Sequence, residues 1–358
     1  MRRLPSSRPP SRRLACILRP VAVGVAALLL VTGCSSAGDD DSAEVSVDAS
    51  GFPLTIENCG HTLTFDQPAT RIFSNNQEMT ETLLSLDLQK QIVATGSWNE
   101  KVHPSLAEKN EGIESLERGG VSKEAVLALE PDLIAASWSP YNEGSLGDRA
   151  QFDELGIQTY ISPTECVGKA DTGDSDESER TGLIDVNVFY EEIEDLAKIA
   201  GQPSRGPKLV ADLKKQVEEA RKFDFSGTTA AFWYADEEAP YLAGCCGASG
   251  FIAETLNLKN TFDDTRKDWP HVSWEAVAAK NPDVLVIPDL DRDGMKSGDS
   301  GADKIKFLES HPVTKHMKAV ENKRYVLVRA TALTPSIEMI TELQAIAEKI
   351  ASFGYGKK

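Results

Sequence analysis

Two α/β lobes joined by a long helical connection are predicted by a duplicated motif and by the segment between its copies. Val121-Ser-Lys-Glu-Ala-Val-Leu-Ala-Leu-Glu-Pro-Asp132 returns as Val272-Ser-Trp-Glu-Ala-Val-Ala-Ala-Lys-Asn-Pro-Asp283, identical at eight of twelve positions. Each copy reads as a short helix opened by a serine N-cap, Ser122 or Ser273, and stopped by Pro131 or Pro282. An apolar run follows each, Leu133-Ile-Ala-Ala or Val284-Leu-Val-Ile, of the kind that fills a parallel strand buried on both faces. Eight matches recurring 151 positions apart imply two equivalent helix–strand units. Between the copies, Asn187–Lys222 carries apolar residues at helical spacing: Phe189, Ile193, Leu196 and Ala200, then Leu209, Leu213, Val217 and Ala220. Only Gly201-Gln-Pro203 breaks that pattern, and almost nothing there looks like a strand.

The elements follow in order along the chain. Six arginines (Arg2, Arg3, Arg8, Arg12, Arg13, Arg19) precede the apolar run Val21–Val31, long enough for a signal sequence but too short to span a bilayer core. The run ends at Val31-Thr-Gly-Cys34, which resembles the lipobox of bacterial lipoproteins and implies lipid on Cys34. Residues 1–33 are thus expected to be a signal peptide. Residues 34–52, small, acidic and without periodicity, are expected to be a lipidated flexible tether. Ile56–Phe65 alternates about Asn-Cys-Gly and predicts a β-hairpin. Arg71-Ile-Phe73, a helix over Met79–Leu88, Ile92-Val-Ala94, the first repeat unit and Thr159-Tyr-Ile161 complete an N-terminal lobe, residues 53–186. The helical connection takes residues 187–225. A second lobe, 226–358, starts with Thr228–Tyr234, contains the second repeat unit and returns through Arg324–Arg329 to a helix over Pro335–Phe353.

Charge and cysteine content narrow the function. Loss of residues 1–33 takes the formal net charge from −18 to −24, which excludes nucleic acid as a partner. The remaining 325 residues exceed one comfortable core and suit two lobes. Apart from Cys16 and Cys34, four cysteines remain, and an even number in an exported chain implies disulfides. Cys245 and Cys246 bridge each other or pair separately with Cys59 and Cys166. The preferred pairing is Cys59–Cys166 with Cys245–Cys246, because a bond across the lobes would hinder closure. No C-x-x-C spacing is present and the five histidines (His61, His103, His271, His311, His316) are scattered, so no metal site is expected.

The lipobox, the hairpin at 54–65, the Arg71-Ile-Phe-Ser strand opening, both Glu-x-x-x-x-x-x-Pro-Asp units, the helical connection Val188–Lys222 and Asp268-Trp-Pro-His-Val-Ser-Trp-Glu275 together carry a resemblance over roughly residues 53–353. The chain resembles the cluster III, helical-backbone solute-binding lipoproteins of ABC importers, which capture ferric siderophores, haem or cobalamin. Ser162-Pro-Thr-Glu-Cys166 and Tyr241-Leu-Ala-Gly-Cys-Cys-Gly247 are similar to an actinobacterial branch of it. The resemblance implies two Rossmann-like α/β lobes joined by a long connecting helix, with the ligand cleft between them. It also implies a monomeric, lipid-anchored extracytoplasmic binder, not an enzyme, that delivers a ferric chelate to a permease dimer with a cytoplasmic ATPase. Cobalamin and haem carriers are the alternatives. Arg118 stands where the cobalamin carriers have a tryptophan, and no tyrosine or histidine is placed as a haem ligand. An exported thiol–disulfide oxidoreductase using Cys245-Cys246 is the alternative of another class; it lacks C-x-x-C.

In such a protein the ligand lies at the carboxyl ends of the strands. The residues following each strand are therefore the candidate walls: Asn75, Asn76, Trp98, Trp138 and Tyr141 in the first lobe, and Trp233, Tyr234, Tyr241 and Trp269 in the second. Aromatic faces suit a large organic chelate. The resemblance singles out Trp269, where the family has an aromatic contact. Arg118 and Arg329 are the candidate cations for an anionic ligand. Glu124 and Glu275, at one offset in both repeats, either complement their helix dipoles or, as the resemblance implies, dock on permease arginines.

Overall fold

A hairpin opens the fold because Cys59 (φ 49°) and Gly60 (φ 78°) both adopt the left-handed conformation that a two-residue turn between antiparallel strands requires. In this computed structural model, which describes residues 47–116, 121–141, 145–170, 179–290 and 299–356, it joins β1 (Leu54–Asn58) to β2 (His61–Phe65). Asn58 ties the hairpin to the first lobe. Its side-chain amide donates to Ile161 O at 2.7 Å, and its Oδ1 accepts from Ile161 N at 2.9 Å. The first lobe runs β3 (Ile72–Asn75), α1 (Gln77–Ser85), β4 (Ile92–Gly96), α2 (Ala107–Asn110), α3 (Lys123–Ala128), β5 (Leu133–Ala136), α4 (Arg149–Asp153) and β6 (Gln158–Ile161). Helix α1 ends three residues before the expected Leu88, because Asp87 (φ 59°) turns the chain out of the helix.

Helices α5 (Val186–Ile199) and α6 (Arg205–Ala220) lead to the second lobe. That lobe contains β7 (Thr229–Phe232), α7 (Ala248–Thr255), β8 (Lys259–Asn260), α8 (Trp274–Lys280), β9 (Val284–Pro288), α9 (Gly301–Ser310), α10 (Lys318–Glu321), β10 (Tyr325–Val328), α11 (Ile337–Thr341) and α12 (Leu343–Ser352). The expected terminal helix is thus two helices meeting at Glu342. All pairings in both sheets are parallel. The strand orders, β4-β3-β5-β6 and β8-β7-β9-β10, are the same topology written twice.

Equivalent residues of the two repeat units do the same work. Ser122 Oγ accepts from Ala125 N, and Ser273 Oγ from Ala276 N, each at 3.2 Å. The Asp132 carboxylate accepts from the backbone of Thr70 (2.8 Å) and Arg71 (3.0 Å) at the entrance to β3. Asp283 accepts from Thr229 N at the start of β7 (2.9 Å). The motif is a device for fastening its strand to the first strand of its own lobe.

One face of each sheet, taken here as its outward face, packs a core confined to its own lobe. The outward faces carry separate cores, around Phe73, Ile134 and Phe152 in the first lobe and around Trp233, Trp274 and Leu285 in the second. The remaining faces share one core. It joins Leu83 and Leu133 through Phe189, Ile193 and Leu213 to Phe232, Val286 and Ile346. Gly206 allows α5 and α6 to cross closely, since a Cβ there would lie 2.8 Å from Glu194 Cα.

Polar links cross between the lobes as well. Arg329, following β10, donates to Glu338 Oε2 (2.8 Å) and to Lys101 O (2.6 Å), and lies 3.4 Å from Glu81 and 3.5 Å from Glu100. Thr331 N donates to Glu100 Oε1 at 3.2 Å. Burial raises the Glu81 carboxyl, with the facing Glu338 carboxylate adding to the effect. Cys59 is bonded to Cys166, with Cα atoms 5.5 Å apart, and Cys245 to Cys246.

Burial pushes Glu100 up to about 7 and Glu192 up to about 8 from the ordinary 4.5. The folded chain therefore keeps protons that the unfolded chain has released. By linkage, the stability contribution of these groups is complete below about pH 4.5 and is lost as pH rises through about 7 and then 8. Urea midpoints should accordingly fall between about pH 5 and pH 8.5, and Glu100→Gln should flatten that slope. An equal or higher midpoint at the alkaline end would contradict it.

Candidate ligand-binding cleft

The carboxyl ends of both sheets open onto a cleft of about 430 Å³ walled by residues from each lobe. Ser137 and Trp138 follow β5, Tyr234 and Ala235 follow β7, and Thr334 and Pro335 lie beyond β10. Tyr241, Asp268 and Trp269 come from the loops flanking α7 and β8. Tyr234 packs against Trp269 with ring centroids 4.9 Å apart, and Tyr241 lies 3.7 Å from the His271 ring. Trp138, opposite, is 44% exposed. Glu78 lines the same cleft, accepts from Thr334 Oγ1 at 3.1 Å, and is driven up by burial.

Four charged side chains form a chain along one wall. Asp268 sits 2.6 Å from Arg180 and 3.5 Å from Lys169, and Lys169 lies 3.0 Å from Glu165. The backbone brings them together. Lys169 bridges Arg180, Glu179 bridges Lys267, and Arg180 N donates to Arg266 O at 2.9 Å, so the chain beyond β6 is stitched onto the second lobe. Ile184 N also donates to Cys246 O at 2.8 Å. Gly244 is needed beside the cysteine pair, because a Cβ there would lie 2.0 Å from Lys267 O.

Among the described residues singled out from sequence as ligand contacts, Trp138, Tyr234, Tyr241 and Trp269 line the cleft, and Asn75, Asn76, Trp98, Tyr141, Trp233 and Arg329 do not. Trp233 is wholly buried on the outward face of its sheet, edge-on to Trp274 at 4.7 Å, with Nε1 donating to Ala235 O at 2.8 Å. Strand alternation decides this: Ala231 and Trp233 share that face, while Phe232 enters the core between the lobes. Asn75 and Asn76 are buried supports. Asn76, at φ 79°, accepts through Oδ1 from Ser137 N at 3.0 Å and so positions the loop bearing Trp138. Trp98 does not reach the cleft wall, and Tyr141 lies on a separate groove beside the Cys59–Cys166 disulfide, edge-on to Phe152. Arg329 is committed to its glutamates between the lobes, with its side chain 19% exposed. Arg118 and Cys34 lie outside the described residues. Glu124 and Glu275 are exposed in the first turns of α3 and α8, away from the cleft.

Lys169, Arg180, Asp268 and Glu165 were not singled out by sequence reasoning. Asp268 and Glu165 lay within quoted motifs, but Arg180 sits beside a non-periodic acidic run that gives no signal of its own.

A family model described as periplasmic binding protein matches residues 72–332. The chain belongs to the periplasmic binding protein family. A vitamin B12-binding protein of Vibrio campbellii is 24% identical to this family member over 233 residues, covering 64% of this chain and 74% of that protein. A periplasmic binding protein from Veillonella parvula has the same fold, with a TM-score of 0.70 and 19% identity, covering 84% of this chain and 97% of the other. A chain of an ABC-type Fe3+-hydroxamate transport system from Saccharomonospora viridis gives a TM-score of 0.67 at 25% identity, covering 83% and 99%. These relatives are substrate-binding transport proteins. This periplasmic binding protein is likewise a binder and not an enzyme, which removes the oxidoreductase reading of Cys245-Cys246.

Trp233→Ala should cost about 3–5 kcal/mol of stability, the range for a large aromatic removed from a packed core. Trp138→Ala, at an exposed position, should change stability by less than about 0.5 kcal/mol. Urea denaturation of both variants checks the contrast; equal losses would mean that the two tryptophans are packed alike.

Proposed function

We propose that this chain is the lipid-anchored, extracytoplasmic binding component of an ABC importer, and that its cleft captures a ferric siderophore-type chelate for delivery to a permease dimer. One observation carries the reading: an aromatic-walled cleft at the strand ends of two duplicated lobes, with Trp138 on one side and Trp269, Tyr234 and Tyr241 on the other. Broad π surfaces hold a large organic chelate with little side-chain entropy to lose. The likeness to a chain of an Fe3+-hydroxamate transport system supports the ferric class. A corrin is the second reading, favoured by the vitamin B12-binding name of the curated relatives.

Capture works by differential affinity. A ligand touching both walls favours the closed arrangement of the lobes, and the core shared through α5 and α6 limits their relative motion to a modest tilt. Glu124 and Glu275, exposed at equivalent places on the two lobes, are the proposed contacts to basic residues of the permease. Cys34 carries the proposed lipid, whose chains supply the two-signal anchoring that one acyl chain cannot.

Cys34→Ala should release the protein from membranes; full retention after a high-salt wash would place the anchor elsewhere. The double reversal Glu124→Arg/Glu275→Arg should leave tryptophan quenching by ferric chelates unchanged while uptake falls further than with either single reversal. Near-normal uptake would remove the docking role. Absence of quenching by ferric siderophores in the wild type, with saturable quenching by cobalamin, would replace the ferric reading by the corrin one.

A further inference from the structure

We infer that the cleft selects its chelate by charge: Asp268 and Glu165 neutralise the two basic side chains that line it among the described residues, so the site takes a neutral or cationic ferric hydroxamate-type chelate and rejects a trianionic catecholate-type one. The inference rests on the ferric-chelate reading and names the class within it. Ferric iron bound by three hydroxamates is a neutral centre, made cationic by a pendant ammonium group. The same iron bound by three catecholates is a trianion. A cleft for the trianion needs uncompensated cations.

Here the cations are already engaged. Arg180 is 2% exposed, with Nε on Asp268 at 2.6 Å and Nη1 donating to Thr164 O at 3.3 Å. Lys169, also largely buried, stands between Glu165 at 3.0 Å and Asp268 at 3.5 Å. An anionic ligand would have to displace a carboxylate from a desolvated guanidinium, or leave that carboxylate buried beside its own negative charge. Both are costly in a low-dielectric setting. Arg329, the one sequence-predicted cation among the described residues, is occupied by Glu81, Glu100 and Glu338. The walls favour the opposite sign. Trp138 and Trp269 offer π faces that attract cations, and the acidic chain, formally −18 overall, draws them toward the protein.

Tryptophan quenching of the full chain in detergent tests this with three probes: a ferric tris-hydroxamate bearing a free ammonium, a neutral ferric tris-hydroxamate and a trianionic ferric tris-catecholate. The first two should bind at least about 100-fold more tightly than the third. Asp268→Asn, which frees Arg180 and leaves Lys169 with Glu165 as its one carboxylate partner, should cut that preference at least about 10-fold by strengthening trianion binding. Glu165→Gln, which leaves the buried Arg180–Asp268 pair intact, should move it in the same direction and guards against a folding defect in the first variant. Trianion binding equal to or tighter than that of the hydroxamates, or a preference unchanged in both variants, overturns charge selection while leaving the carrier reading in place. Quenching by none of the three overturns both.

Discussion

The apolar core shared between the two lobes is the constraint on which the rest of the molecule depends. Phe189, Ile193 and Leu196 of α5 and Val210, Leu213 and Val217 of α6 are buried in one continuous cluster with residues from both sheets. Opening the lobes widely would expose this surface to water, so the cleft has walls at a nearly fixed separation. In binding proteins hinged by flexible strands, closure can be large. Here recognition must come from side chains that already stand close to their bound positions.

The polar links reinforce that geometry. Arg329 with Glu81, Glu100 and Glu338 spans the lobes on one side, and the Lys169, Arg180, Asp268 and Glu165 chain spans them on another. Both sets are largely desolvated, and each cation has at least one acidic partner. A buried charge of this kind contributes little net stability but strongly penalises arrangements that separate it from its partners. It specifies how the lobes meet more than how firmly they hold.

The two disulfides fit the same arrangement. Cys59–Cys166 fastens the opening hairpin to the segment leaving β6, and Cys245–Cys246 lies where Ile184 from that segment meets the second lobe. Neither cross-links one lobe's cysteines to the other's. The wall carrying Glu165, Lys169 and Arg180 is therefore fastened at its ends by covalent and backbone bonds, with its charged side chains directed into the cleft.

The sequence by itself determined the duplicated lobes, the hairpin and the helical connection that the structure contains. Each of these is written in local pattern: serine caps and Pro-Asp stops at one offset, helical periodicity, and turn residues that tolerate positive φ. Trp138, Tyr234, Tyr241 and Trp269 were legible as wall residues because they follow strands. Only the tertiary structure decided that Trp233, one position from Tyr234, belongs to a core, since alternation along β7 matters only once each face has a neighbour. The charge of the cleft was likewise invisible in the chain. Lys169, Arg180 and Asp268 are up to 99 residues apart in sequence and 3.5 Å or less apart across their contacts, and a cation's availability depends on which carboxylate the fold places beside it.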